Sequence, residues 1–113
     1  MQDEVKARPR VYVVEQQPFD YAPASAYGDI LFMDVQKLAP DAPGAGDGFN
    51  SRVLQQIRRE LSQYVPGIDF LIPTGSPVKL LAVGAVLKEK APNHNVLGWD
   101  GRTQRYLHYR MVL

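Results

Sequence analysis

Apolar residues are distributed along the chain in short runs, with one long run in the second half. Val11, Tyr12, Val13 and Val14 are β-branched or aromatic and predict a first strand over 10–15. The run DILFMD at 29–34, apolar between two carboxylates, predicts a second strand of the buried central kind rather than an alternating edge. Val53, Leu54, Ile57, Leu61 and Tyr64 recur at helical spacing behind Asn50. They predict an amphipathic helix capped by Asn50 and ended by Val65-Pro66-Gly67.

Phe70, Leu71 and Ile72 predict a third, short strand that leaves through Pro73-Thr74-Gly75. Ser76-Pro77 then opens a second helix, the hydroxyl capping free amides and proline costing no hydrogen bond at the first position. Val78, Leu80, Leu81, Ala82, Val83, Ala85, Val86 and Leu87 leave this helix little polar face, so it is expected to be a core helix covered on most sides until Pro92 closes it. Residues 95–100 and 105–113 predict two strands joined around Asp100-Gly101, with the glycine supplying positive φ. Antiparallel alternation groups Leu107, Tyr109, Met111 and Leu113 as the core face. It leaves Tyr106, His108, Arg110 and Val112 as a basic-aromatic stripe, either a contact surface or the solvent side of an edge strand.

The order contains a βαβαβ unit over 29–100. The expected fold is α/β: one small domain over 1–113, an about five-stranded mixed sheet with a C-terminal hairpin, and two main helices. Residues 1–9 are expected to form a flexible arm, and the proline- and glycine-rich segment 38–48 a mobile loop.

A length of 113 residues suits one core without staples. The chain has no cysteine, which removes disulfides and thiolate metal sites, and His94 and His108 lack metal-ligand spacing, so neither a metal nor a cofactor is expected. A net charge of +1 argues against binding nucleic acid by bulk electrostatics. No apolar run approaches a membrane span and the first residues lack the order of a signal peptide, so a cytoplasmic protein is expected.

Three groups of residues carry candidate chemistry. The carboxyl ends of parallel strands are where ligands sit, which nominates Asp34, Thr74, Gly75, Ser76 and Asp100 for a nucleotide or other anion at a helix N-terminus, with Lys37 and Lys79 to neutralise it. The competing reading is that Ser76 caps its helix and the aspartates start turns. Phe19, Tyr21 and Tyr27 crowd a proline-containing loop, where they either pack beneath it or, with Tyr106, His108 and Arg110, contact a partner. Arg52, Arg58, Arg59, Arg102, Arg105 and Arg110 could touch phosphates or simply be solvated. No nucleophile and base stand together, so no catalytic residue is assigned and an enzyme is not favoured.

Pro73, Thr74, Gly75, Ser76 and Pro77, together with Trp99, Asp100, Arg102 and Tyr106, form a pairing of motifs. It resembles small proteins of tailed bacteriophages and prophages in which a strand enters a TG-S/D-P helix start and a WD-containing hairpin follows. The resemblance covers the C-terminal half and implies a phage origin, in the host cytoplasm or the virion, with no catalytic residues. The leading expectation is a non-enzymatic accessory protein that binds another macromolecule, a protein partner foremost. Small-anion binding at the Thr74–Ser76 turn and nucleic-acid binding through the arginines are the alternatives, and self-association is compatible with each.

Overall fold

The computed structural model describes residues 8–40 and 48–113, so most of the expected arm at 1–9 and of the expected loop at 38–48 lies outside the described residues. The chain is α/β. Five strands, β1 (Arg10–Val13), β2 (Asp29–Phe32), β3 (Phe70–Ile72), β4 (Asn93–Asp100) and β5 (Arg105–Val112), form one sheet in the order β2-β1-β3-β4-β5. The first four are parallel and β5 runs antiparallel to β4. Helix α1 (Gly48–Glu60) joins β2 to β3, and α2 (Pro77–Lys90) joins β3 to β4. The βαβαβ unit expected over 29–100 is present.

The strand order dictates the layers. Chain progress from β2 to β3 and from β3 to β4 runs in one direction across the sheet, so right-handed crossovers place both helices on the same face. The step from β1 to β2 runs the other way, and its connection, which contains a short 3-10 helix (Ala22–Ala26), covers the opposite face. On the helix side Tyr12, Val14 and Leu71 pack against Val53, Ile57, Leu61, Tyr64, Val83, Val86 and Leu87. On the other side Val11, Val13, Ile72, Leu97 and Tyr106 pack beneath Tyr21 and Ala24.

Several expectations are corrected. Strand β2 is an edge and β1 is the interior strand beside it, with Val11, Tyr12, Val13 and Val14 all buried, while Leu31 and Phe32 of β2 are exposed. Asn50 lies within α1 and is not its cap; its side chain instead holds Ala39, accepting from the backbone N–H at 3.0 Å and donating to the carbonyl at 3.1 Å. Helix α2 is covered on one face only. Val78 and Leu81 stand in solvent, Leu81 at 77% exposure, whereas Lys79 is 3% exposed. The hairpin turn has its left-handed residue at Gln104, with φ 57°, and not at Gly101. On β5 the core residue is Tyr106, while Tyr109 and Met111 are exposed. Alternation sorts two faces, but the 3-10 segment decides which of them is covered.

Buried polar groups tie the strand ends together. The Asp69 carboxylate accepts from the backbone N–H of Arg10 at 2.9 Å and of Val65 at 2.8 Å, fixing the start of β1 and the end of the α1 connection. His94 Nε2 lies 2.8 Å from the Ala91 carbonyl, which assigns the proton to that nitrogen and leaves Nδ1 to accept from the Tyr64 hydroxyl at 2.7 Å. Burial pushes the Tyr64 phenol up to about 12, and Asp69 adds to the effect.

Candidate functional site

In a parallel sheet the crevice opens where neighbouring strands send their connections to opposite faces. Here that is between β1, whose chain departs toward the 3-10 segment, and β3, whose chain enters α2. Two hollows lie at this end of the sheet and meet at Phe19 and Thr74.

The smaller hollow is bordered by Glu15, Gln17, Phe19, Thr74, Gly75 and Ser76. Ser76 Oγ accepts from the Lys79 backbone N–H at 3.3 Å, an ordinary N-cap. Thr74 Oγ1 donates to the Glu15 carbonyl at 2.6 Å and lies 3.5 Å from the Tyr21 hydroxyl. Gly75 has φ 130° and approaches so closely that an added Cβ would lie 2.9 Å from Glu15 Cβ. Glu15 is therefore the carboxylate that sits against this helix start. Its Oε1 is 3.0 Å from Lys79 Nζ, which also donates to the Val35 carbonyl at 2.9 Å. That contact with Lys79 holds the Glu15 carboxyl below its usual range against the opposing effect of desolvation.

The other predicted members of this edge do not converge on the turn. Asp34 is exposed, and its backbone N–H donates to Glu60 at 2.9 Å. Asp100 accepts from Thr103 Oγ1 and from the Arg102 N–H at 3.4 Å, so its carboxylate is engaged within its own turn. The bond from Thr103 is the main reason its carboxyl lies below the usual range. Among the described residues, no group of three His, Asp or Glu side chains has metal-binding geometry.

The larger hollow, of about 600 Å³, opens on the face opposite the helices. Its floor is Ile72, Leu97 and Tyr106; the loop supplies Pro18, Phe19 and Pro23 as one wall, and Trp99 and Gln104 of the hairpin form the other. Local chemistry builds the loop wall. Asp20 accepts from the Ala22 N–H at 3.0 Å, Pro23 starts the 3-10 turn, and the Gln17 N–H donates to the Tyr21 hydroxyl at 2.9 Å. Tyr21 is thereby buried, edge-on to Phe32 at 5.6 Å between ring centroids. The Tyr27 ring packs against Phe70 at 5.3 Å. The hairpin wall is set by the antiparallel pair Trp99–Tyr106, whose rings meet edge to face at 5.1 Å.

The loop aromatics and the C-terminal hairpin, separate candidates in the sequence, are thus two sides of one cleft. Of the residues nominated for a partner, Phe19 remains exposed at the rim and Tyr106 lies in the floor. Tyr21 and Tyr27 support the loop from beneath. His108 and Arg110 are further along β5: His108 bonds to Asn95 Oδ1 at 2.8 Å, and Arg110 borders a separate small hollow with His94 and Asn95. Pro18, Pro23, Leu97 and Gln104 were not singled out from sequence, and Trp99 entered only through the resemblance. Its position two residues from Leu97 on one strand was the available signal. Arg58, one of the candidate phosphate contacts, makes two bonds to Glu89 of α2, at 3.1 and 2.9 Å.

The model of one protein family, described as phage Pam3 gp32-like protein, matches residues 9–113. The chain belongs to this phage family. Its match extends beyond the C-terminal motifs to include the loop wall as well as the hairpin wall of the cleft. No curated protein and no solved structure matches the chain. Among the described residues no helix is long and apolar enough to cross a membrane.

Proposed function

We propose that this phage protein is a non-enzymatic accessory factor that binds another protein chain, acting in the host cytoplasm or on the virion, and that the cleft between Phe19 and Trp99 is where the partner seats an apolar side chain. The observation that carries this reading is the exposure of both rings, Phe19 at 62% and the chain's single tryptophan at 46%, above an apolar floor. Exposed aromatics around a concave apolar pocket are the usual anchors of protein interfaces, where a few such residues carry most of the binding energy. The polar groups at the rim, Asp20, Thr74 and Gln104, would orient the bound segment.

The anion reading has less support. Glu15 already places a negative charge against the Thr74–Ser76 turn, and Lys79 is engaged with it, so a phosphate would meet a carboxylate where it needs free amides. The arginine reading is weakened by the Arg58–Glu89 pair.

The test is a pairwise binding panel of the purified chain against the proteins encoded by the same phage. A specific partner should bind the wild type and lose at least tenfold in affinity to the double variant Phe19→Ser, Trp99→Ser, equivalent to about 1.4 kcal/mol. Binding unaffected by that variant would place the interface elsewhere.

A further inference from the structure

Among the described residues, strand β5 ends the sheet with its outer edge unpaired, and the protection it carries is the charge of Arg105 and Arg110. It pairs with β4 residue for residue from Arg105 to Val112 with no bulge, and it contains neither proline nor lysine. Two of its helix-side residues are exposed, Tyr109 at 51% and Met111 at 44%, while Leu107 and Leu113 on the same side are half-buried. The Tyr109 ring lies over Gly98, where an added Cβ would meet it at 2.9 Å, so this exposed ring is seated on the sheet. Helix α2 turns Ala82 and Glu89 toward α1, as the Arg58 pair shows. Gly84 lies about 200° further round the helix, on the flank toward β5, and an added Cβ there would meet nothing within 4 Å.

We propose that this edge is a twofold interface between copies of the chain, in which β5 pairs antiparallel with β5 of a second copy and the two sheets become one. A free strand edge offers its unpaired N–H and C=O groups to another strand, and the arginine positions choose the register in which β5 can meet its own copy. Side chains that face each other across an antiparallel pair must share a face, so the twofold axis passes through a residue of β5. An axis at Tyr109 would set the two Arg110 side chains diagonally adjacent. An axis at His108 instead puts Arg110 opposite Tyr106 of the second copy, Arg105 opposite Met111 and Leu107 opposite Tyr109, with no arginine facing or diagonal to another. His108 itself is turned to Asn95 of β4. In this register strands spaced about 4.8 Å apart place β4 and its mate about 14 Å apart, wider than the roughly 8–10 Å of packed helices, so the two strands and not the α2 helices form the contact.

The decisive experiment is sedimentation equilibrium of the full chain across the micromolar range. A dimer is expected, with dissociation at least tenfold easier in Tyr109→Lys and Met111→Lys, both of which should keep the wild-type circular dichroism because these side chains are exposed in the single chain. The absence of cysteine makes disulfide trapping a clean second readout. His108→Cys should give a covalent dimer on mild oxidation, since facing residues bring their Cα atoms to about 4.5–5.5 Å. Tyr109→Cys should cross-link more slowly. A monomer at every concentration overturns the proposal, as does a dimer indifferent to Tyr109→Lys. Faster cross-linking through position 109 than through 108 overturns the register.

Discussion

The hydroxyl of Tyr27 donates to the backbone carbonyl of Tyr106 at 3.0 Å, a bond that joins the loop wall of the cleft to the hairpin wall. The connection between β1 and β2 has no full helix to hold it to the sheet, so this bond and the Tyr21 contacts set the cleft's width. Tyr27→Phe should cost about 1 kcal/mol, the net worth of one such bond. Amide exchange should accelerate in residues 18–28 more than in the strands. Uniform acceleration would mean that the loop is held by other contacts.

Gly28 tests the docking of β2 on β1. An added Cβ there would overlap the Pro9 carbonyl, beside the bond from the Asp29 N–H to that same oxygen at 2.8 Å. The obstruction is backbone, which cannot swing away. Gly28→Ala should therefore destabilise by about 1–3 kcal/mol, read as a lower urea midpoint.

The Glu15–Lys79 pair should shape the acid limb of stability. The Glu15 carboxyl is held below its unfolded value by Lys79, so the stabilisation is complete above the unfolded value near 4.5 and fades as pH falls through the lower folded one. Glu15→Gln should flatten the stability profile in that window. Lys79→Ala, which leaves the carboxylate unpaired and empties a buried site, should cost about 3 kcal/mol at neutral pH. A wild-type profile in Glu15→Gln would mean that the pair contributes nothing to folding.

The βαβαβ unit and the cap at Ser76 were legible in the sequence because they depend on local pattern and on right-handed crossover. The rotation of α2 was not. A helix apolar nearly all round does not say which face is buried, and the choice that buries Lys79 and exposes Leu81 follows from the distant Glu15. Strand order was hidden for a related reason: DILF reads as a buried run and VYVV only as a strand, and the direction of the β1 to β2 step decides which of them is the edge. The cleft needed both facts, since Phe19 and Trp99 meet only once the loop lies on the face that carries Leu97.

The hairpin turn gives a prediction of opposite sign. Gln104 is a non-glycine residue at φ 57°, a conformation that costs an L side chain about 1–2 kcal/mol. Gln104→Gly should raise stability by up to about 1 kcal/mol, because the flexibility glycine adds to the unfolded chain and the loss of the Gln104 bond to the Gly101 carbonyl offset part of the relief. Gly101→Ala should be close to neutral, since Gly101 is not left-handed and its added Cβ would find only ordinary contact with Trp99 at 3.9 Å.

Trp99 reports directly on the central claim, because it is the single tryptophan and lines the cleft. Its emission should be followed while a partner from the binding panel is titrated in, with calorimetry run in parallel to establish that binding occurs. If the partner seats a side chain between Phe19 and Trp99, emission should shift to the blue and acrylamide quenching should fall, with the same midpoint as the heat. Calorimetric binding that leaves both the emission and the quenching of Trp99 unchanged would contradict the assignment of the cleft as the partner site.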